Sequence, residues 1–172
     1  LAKAKVRDLS GAVTSLSQSL KYNKRNTDAR NLLGLIYYQM GEIVAALSEW
    51  VISVHFQERN NIAADYIQAI QNNPAKLKAA NKVIQKYNLA LSYMQENNAD
   101  LAIIELKRVV NMSPTYIRAY QLLGLLYMQR KQYAAARKVL MRAVKVDRNN
   151  MTTLRYLKEV NHLHGKQEKN QH

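Results

Sequence analysis

Cysteine is absent from all 172 residues. That excludes disulfides, thiolate nucleophiles and thiolate metal sites, and it fits a cytoplasmic protein. Proline occurs twice and glycine five times, so few positions break a helix. No run of eighteen apolar residues occurs, so nothing reads as a membrane span, and the N-terminus lacks a signal-peptide layout. Negative charge is scarce too: 12 Asp and Glu stand against 26 Lys and Arg, a formal net charge of +14. The excess is uneven. Residues 83–172 hold 15 basic against 6 acidic side chains, and residues 1–82 hold 11 against 6. Such a field attracts polyanions in general.

The equipment of an enzyme is missing as well. The chain contains no Gly-rich phosphate loop, no H-E-x-x-H and no nucleophile elbow. Its acidic residues are scattered, with no pair spaced for acid–base work. The four histidines are His55, His162, His164 and His172. His162 and His164 are two apart, so on a helix they point away from each other, and no third ligand lies near them. The reading is therefore a non-enzyme with no cofactor, no metal site and no small-molecule substrate.

What is present is helix-forming and repetitive. Apolar residues make up 48% of the chain, which excludes a disordered polymer. Leu123-Gly124-x-x-Tyr127 repeats Leu89-Ala90-x-x-Tyr93 at an offset of 34 residues, and Leu33-Gly34-x-x-Tyr37 is a third copy. Ala46, Ala102 and Ala136 follow at one fixed distance, and four residues beyond them come Trp50, Leu106 and Leu140. Ala12 and Leu16 stand in register with Ala46 and Trp50. Each copy reads as two antiparallel helices of about fourteen residues. Gly34, Ala90 and Gly124 let the first helix approach the second, and the large side chains fill the remaining space. Gly41-Glu42, Asn97-Asn98, Ser113-Pro114 and Asn149-Asn150 supply the turns.

These residues resemble the tetratricopeptide repeat, with its L-G-x-x-Y, A-x-x-x-F and P signature on a 34-residue period. The resemblance implies an all-α, right-handed solenoid of helical hairpins. Copies are expected at 27–60, 83–116 and 117–150, with a partial copy at 1–26 formed mainly by its second helix. The signature proline stands only at Pro114, with Glu58 and Arg148 at the matching places. By register Leu1 matches Leu35, Leu91 and Leu125 inside a first helix, so the chain is expected to be a segment of something longer. Residues 61–82 break the period and read as a helical insertion, with a short helix ending at Asn72-Asn73-Pro74. From Leu77 through Ala80, Ile84, Tyr87 and Leu91 to Met94 the apolar steps describe one helix beginning near Ala75. Residues 151–164 are expected to form a capping helix, and 165–172 a frayed polar tail.

In this family the first helices line a concave groove in which partner segments lie. Leu35-x-x-Tyr38-Gln39, Leu91-x-x-Met94-Gln95 and Leu125-x-x-Met128-Gln129 place one triplet there three times. Asn31 and Gln121 stand one turn earlier, and Tyr87 occupies the matching place in the middle copy. An apolar stripe edged by amides suits an apolar or amphipathic protein segment. Packing between successive first helices is the other reading. It leads for the leucines and stays open for Tyr38, Met94 and Met128. The lysine–asparagine clamp with which some family members hold a terminal carboxylate is lacking. Lys107, Arg108, Arg137, Lys138, Arg142 and Lys145 fall on second helices, which the resemblance places on the convex face. There they form a basic strip with nonspecific attraction for RNA, anionic lipid or an acidic protein. Three functions therefore stand open: a protein-binding adaptor first, then a polyanion-binding module, then an architectural spacer.

Overall fold

A computed structural model of the chain describes residues 8–171 and shows helices joined by short turns, with no strand among those residues. The order is α1 (Leu9–Tyr22), α2 (Thr27–Gln39), α3 (Ile43–Phe56), α4 (Ala63–Gln71), α5 (Pro74–Gln95), α6 (Ala99–Met112), α7 (Ile117–Gln129), α8 (Tyr133–Val146) and α9 (Met151–Asn170). The chain divides into two compact units at Val83 and Ile84, within α5. The fold is an all-α, tetratricopeptide-like solenoid type. The first-helix register of Leu1 lies outside the described residues.

Local chemistry sets the helix ends. Asp8, Asn26, Asn98 and Asn150 each cap a helix, their side-chain oxygens accepting from the amides of Gly11, Ala29, Leu101 and Thr153. The three hairpins turn in the same way. Gly41, Asn97 and Lys131 adopt positive φ angles of 77°, 58° and 60°. The following amides of Glu42, Asn98 and Gln132 then reach back to the carbonyls of Tyr37, Tyr93 and Tyr127 at 2.8–2.9 Å. This closes the last turn of each first helix.

In the first unit, α2 packs between α1 and α3. Leu20, Ala29 and Leu33 form one buried cluster, joined by Val13, Leu16 and Tyr37. Ala46, Trp50, Ala63 and Ile70 form a second. Gly34 explains the closeness of α2 to α3: a Cβ there would lie 2.2 Å from Trp50 Nε1. The indole N–H donates to the Asn31 carbonyl at 3.2 Å.

The 61–82 stretch is divided by Pro74 between α4 and the start of α5. Ala63, Ile67 and Ile70 of α4 follow Ala29, Leu33 and Ile36 of α2 at the 34-residue spacing of the repeat. α4 packs on α3, with the Tyr66 and Trp50 rings 5.0 Å apart. It is a shortened helix in the place of a first helix.

In the second unit, α7 and α8 form the tightest hairpin. Ala136 and Leu140 are fully buried, and a Cβ on Gly124 would lie 2.6 Å from Leu140 Cγ. α9 packs on both helices through Leu157 and Val160. The frayed tail expected for 165–172 is corrected: α9 continues through Gly165 to Asn170. Beyond Gly165 it is built of Lys, Gln and Glu, which are good helix formers. His164 and Glu168 also pair at i, i+4, 3.1 Å apart.

Candidate functional site

The first-helix stripe of the sequence divides by burial. In the first unit, Leu35 and Tyr38 are half-buried and Gln39 is exposed. The Tyr38 ring stands 6.3 Å from the Trp50 ring, and Lys76 Nζ lies 4.3 Å over its other side. Leu35, Tyr38, Trp50, Tyr66, Ile70 and Lys76 line an open cavity of about 250 Å³. Asn31 is already engaged, donating from Nδ2 to Asn61 Oδ1 at 2.8 Å.

In the second unit, Leu91, Met94 and Leu125 are half-buried, and Gln95 and Gln129 are exposed. Met128 is different. At 7% exposure it is a core residue, so its placement among partner contacts is corrected to packing. Tyr87 sets its ring edge-on to Tyr116 at 5.5 Å. Gln121 donates from Nε2 to Asn150 Oδ1 and Thr153 Oγ1, both at 2.9 Å. It therefore ties α7 to the start of α9. Tyr87, Gln121 and Leu125 also line a small cavity of about 130 Å³ with Arg118 and Tyr156.

Lys107, Arg108, Arg137, Lys138, Arg142 and Lys145 are all exposed. Arg108 is held by Glu105 at 2.8 Å, and that carboxylate also lies 3.5 Å from Lys86. The Arg142 guanidinium lies 5.1 Å above the Tyr120 ring. Among the described residues, no group of three or more His, Asp or Glu side chains is arranged to hold a metal ion. No helix among those residues is long and apolar enough to cross a membrane.

Sequence reasoning missed most of the wall of the Tyr38 cavity. Trp50 was read only as hairpin packing, and Tyr66, Ile70 and Lys76 as parts of an insertion. The signal that finds them is the register of Ile70 with Ile36, which sets α4 beside α3.

Helical hairpins closed by paired small and large residues, with solvent-facing amides along the first helices, define a repeat scaffold. The tetratricopeptide repeat profile matches residues 87–159 and, in a second form, residues 1–51, and the chain belongs to the tetratricopeptide repeat family. Proteins with this fold serve in general as protein–protein interaction scaffolds. No curated protein sequence matches the chain. Among solved structures it is similar to the MamA protein, at 17% identity and a TM-score of 0.47, over 98% of this chain and 80% of that one. It is also similar to pilF of Pseudomonas aeruginosa, at 16% identity and a TM-score of 0.43, over 98% and 66%.

Proposed function

We propose that this chain is a non-catalytic adaptor that holds an apolar or amphipathic segment of a partner protein on its first-helix face. The anchor side chain sits in the Tyr38 cavity. The observation that carries the reading is that cavity itself. Its walls are mainly aromatic and aliphatic, with Asn73 and Lys76 at the polar side, its volume is about 250 Å³, and a water's share of liquid volume is roughly 30 Å³. It therefore has room for one large apolar side chain. Gln39 beside it is exposed and offers amide hydrogen bonds to a partner backbone, while Leu35 and Tyr38 supply the dry contact.

The test is an anisotropy titration with a fluorescein-labelled, uncharged amphipathic peptide built from Leu and Gln. Tyr38→Glu is expected to weaken binding at least about tenfold, roughly 1.4 kcal/mol, with the circular dichroism spectrum unchanged. Tyr38→Phe is expected to retain it. Lys158→Ala, at an exposed position of α9 in the other unit, is expected to leave it unaltered. Equal binding by the Tyr38→Glu protein removes this cavity as the site.

A further inference from the structure

We infer that a groove between α6 and α8 is a second docking surface, and that its occupant is an acidic amphipathic segment of another protein. The groove is a cavity of about 380 Å³ with Val110, Leu123 and Val139 in its floor and Lys107, Lys138 and Arg142 around its rim. All three cations are exposed. Among the described residues, no carboxylate pairs with any of them. Residues 117–150 carry eight Lys and Arg and a single acid, Asp147. That acid is fully buried, and its Oδ2 accepts from Asn150 Nδ2 at 3.2 Å. The rim of the groove therefore bears three cations with no carboxylate paired to them among the described residues.

Charge alone would suit any polyanion, and the floor decides among them. Nucleic acid without a sequence preference needs exposed aromatic faces on which bases stack. The tyrosine that lines this groove is withdrawn, Tyr127 being 9% exposed, and Tyr120, which lies beneath Arg142, is 2% exposed. A membrane surface would satisfy the rim and leave a recessed apolar floor empty. A helix with Leu on one face and Glu on its flanks satisfies both at once, because residues three and four apart share a face. This surface uses no residue of the Tyr38 cavity.

The experiment uses the whole 172-residue chain and an 18-residue peptide with Leu at i, i+3, i+4 and i+7 flanked by Glu. A second peptide keeps every Glu and replaces Leu by Ser. The acidic Leu peptide is expected to bind, and the Ser peptide at least about tenfold more weakly. The triple variant Lys107→Glu, Lys138→Glu, Arg142→Glu is expected to lose the Leu peptide with helicity unchanged in circular dichroism. Tyr38→Glu is expected to bind it as the parent chain does.

Equal affinity for the Leu and Ser peptides overturns the proposal, since charge alone would then suffice. So does loss of binding on Tyr38→Glu, which would move the peptide to the other site. Tighter binding of an oligouridylate or of phosphatidylserine vesicles than of the Leu peptide, abolished by the same triple variant, also overturns it in favour of that partner.

Discussion

One hydrogen atom at Gly34 sets how closely α2 lies on α3. A methyl group there meets the edge of a buried indole, which is rigid and only 2% exposed. Gly34→Ala is therefore expected to destabilise the chain by about 1–3 kcal/mol, read as a lower urea midpoint. Lys131 makes the opposite prediction. It adopts a φ of 60°, a conformation that costs a β-carbon-bearing residue roughly 1–2 kcal/mol, in the turn where the first hairpin has Gly41. Lys131→Gly should raise stability by up to about 1 kcal/mol, since glycine's extra freedom when unfolded offsets part of the gain. At this scale the hairpin contacts were legible in the sequence. Gly34 with Trp50, and Gly124 with Leu140, are small–large pairs at one fixed spacing. Burial of Met128 was not legible. It shares a register with Tyr38 and Met94, and which face of α7 is covered depends on α9 packing along it.

Among the elements, α4 shows how a repeat hides from its own signature. Gln68 and Gln71 stand where Gly34 and Tyr37 would lead one to look for glycine and tyrosine, and Pro74 begins a new helix soon after. Ala63, Ile67 and Ile70 keep the buried positions of the period, and three such matches within nine residues are a weak signal on their own. The Tyr38 cavity needs α4 for its wall, so its shape could not be read before α4 was placed. The continuation of α9 was hidden for another reason. Gly165 in a polar stretch signals an end, yet the flanking helix formers and the His164–Glu168 pair carry the helix past it. A Cβ at Gly165 meets nothing within 4 Å. Gly165→Ala should therefore stabilise α9 by up to about 1 kcal/mol, seen as more helical signal and slower amide exchange over 161–168. An unchanged exchange pattern would mean that the helix does not persist there in solution.

For the whole molecule, a formal charge of +14 acts on arrival more than on grip. Long-range attraction raises the association rate of acidic partners and fades as salt shortens the screening length, from about 10 Å at 0.1 M to about 3 Å at 1 M. In stopped-flow measurements the acidic Leu peptide should bind progressively more slowly as salt is raised. The uncharged peptide at the Tyr38 cavity should hold its on-rate within about twofold. Equal salt slopes for the two peptides would merge the two surfaces into one electrostatic site. The chain also carries a single tryptophan, and Trp50 lies wholly within the first of the two units. Its emission during heating therefore follows residues up to Val83, while far-ultraviolet dichroism sums over both units. Overlaid melting curves would identify one cooperative transition. Separated midpoints would assign each temperature to its own half without any label.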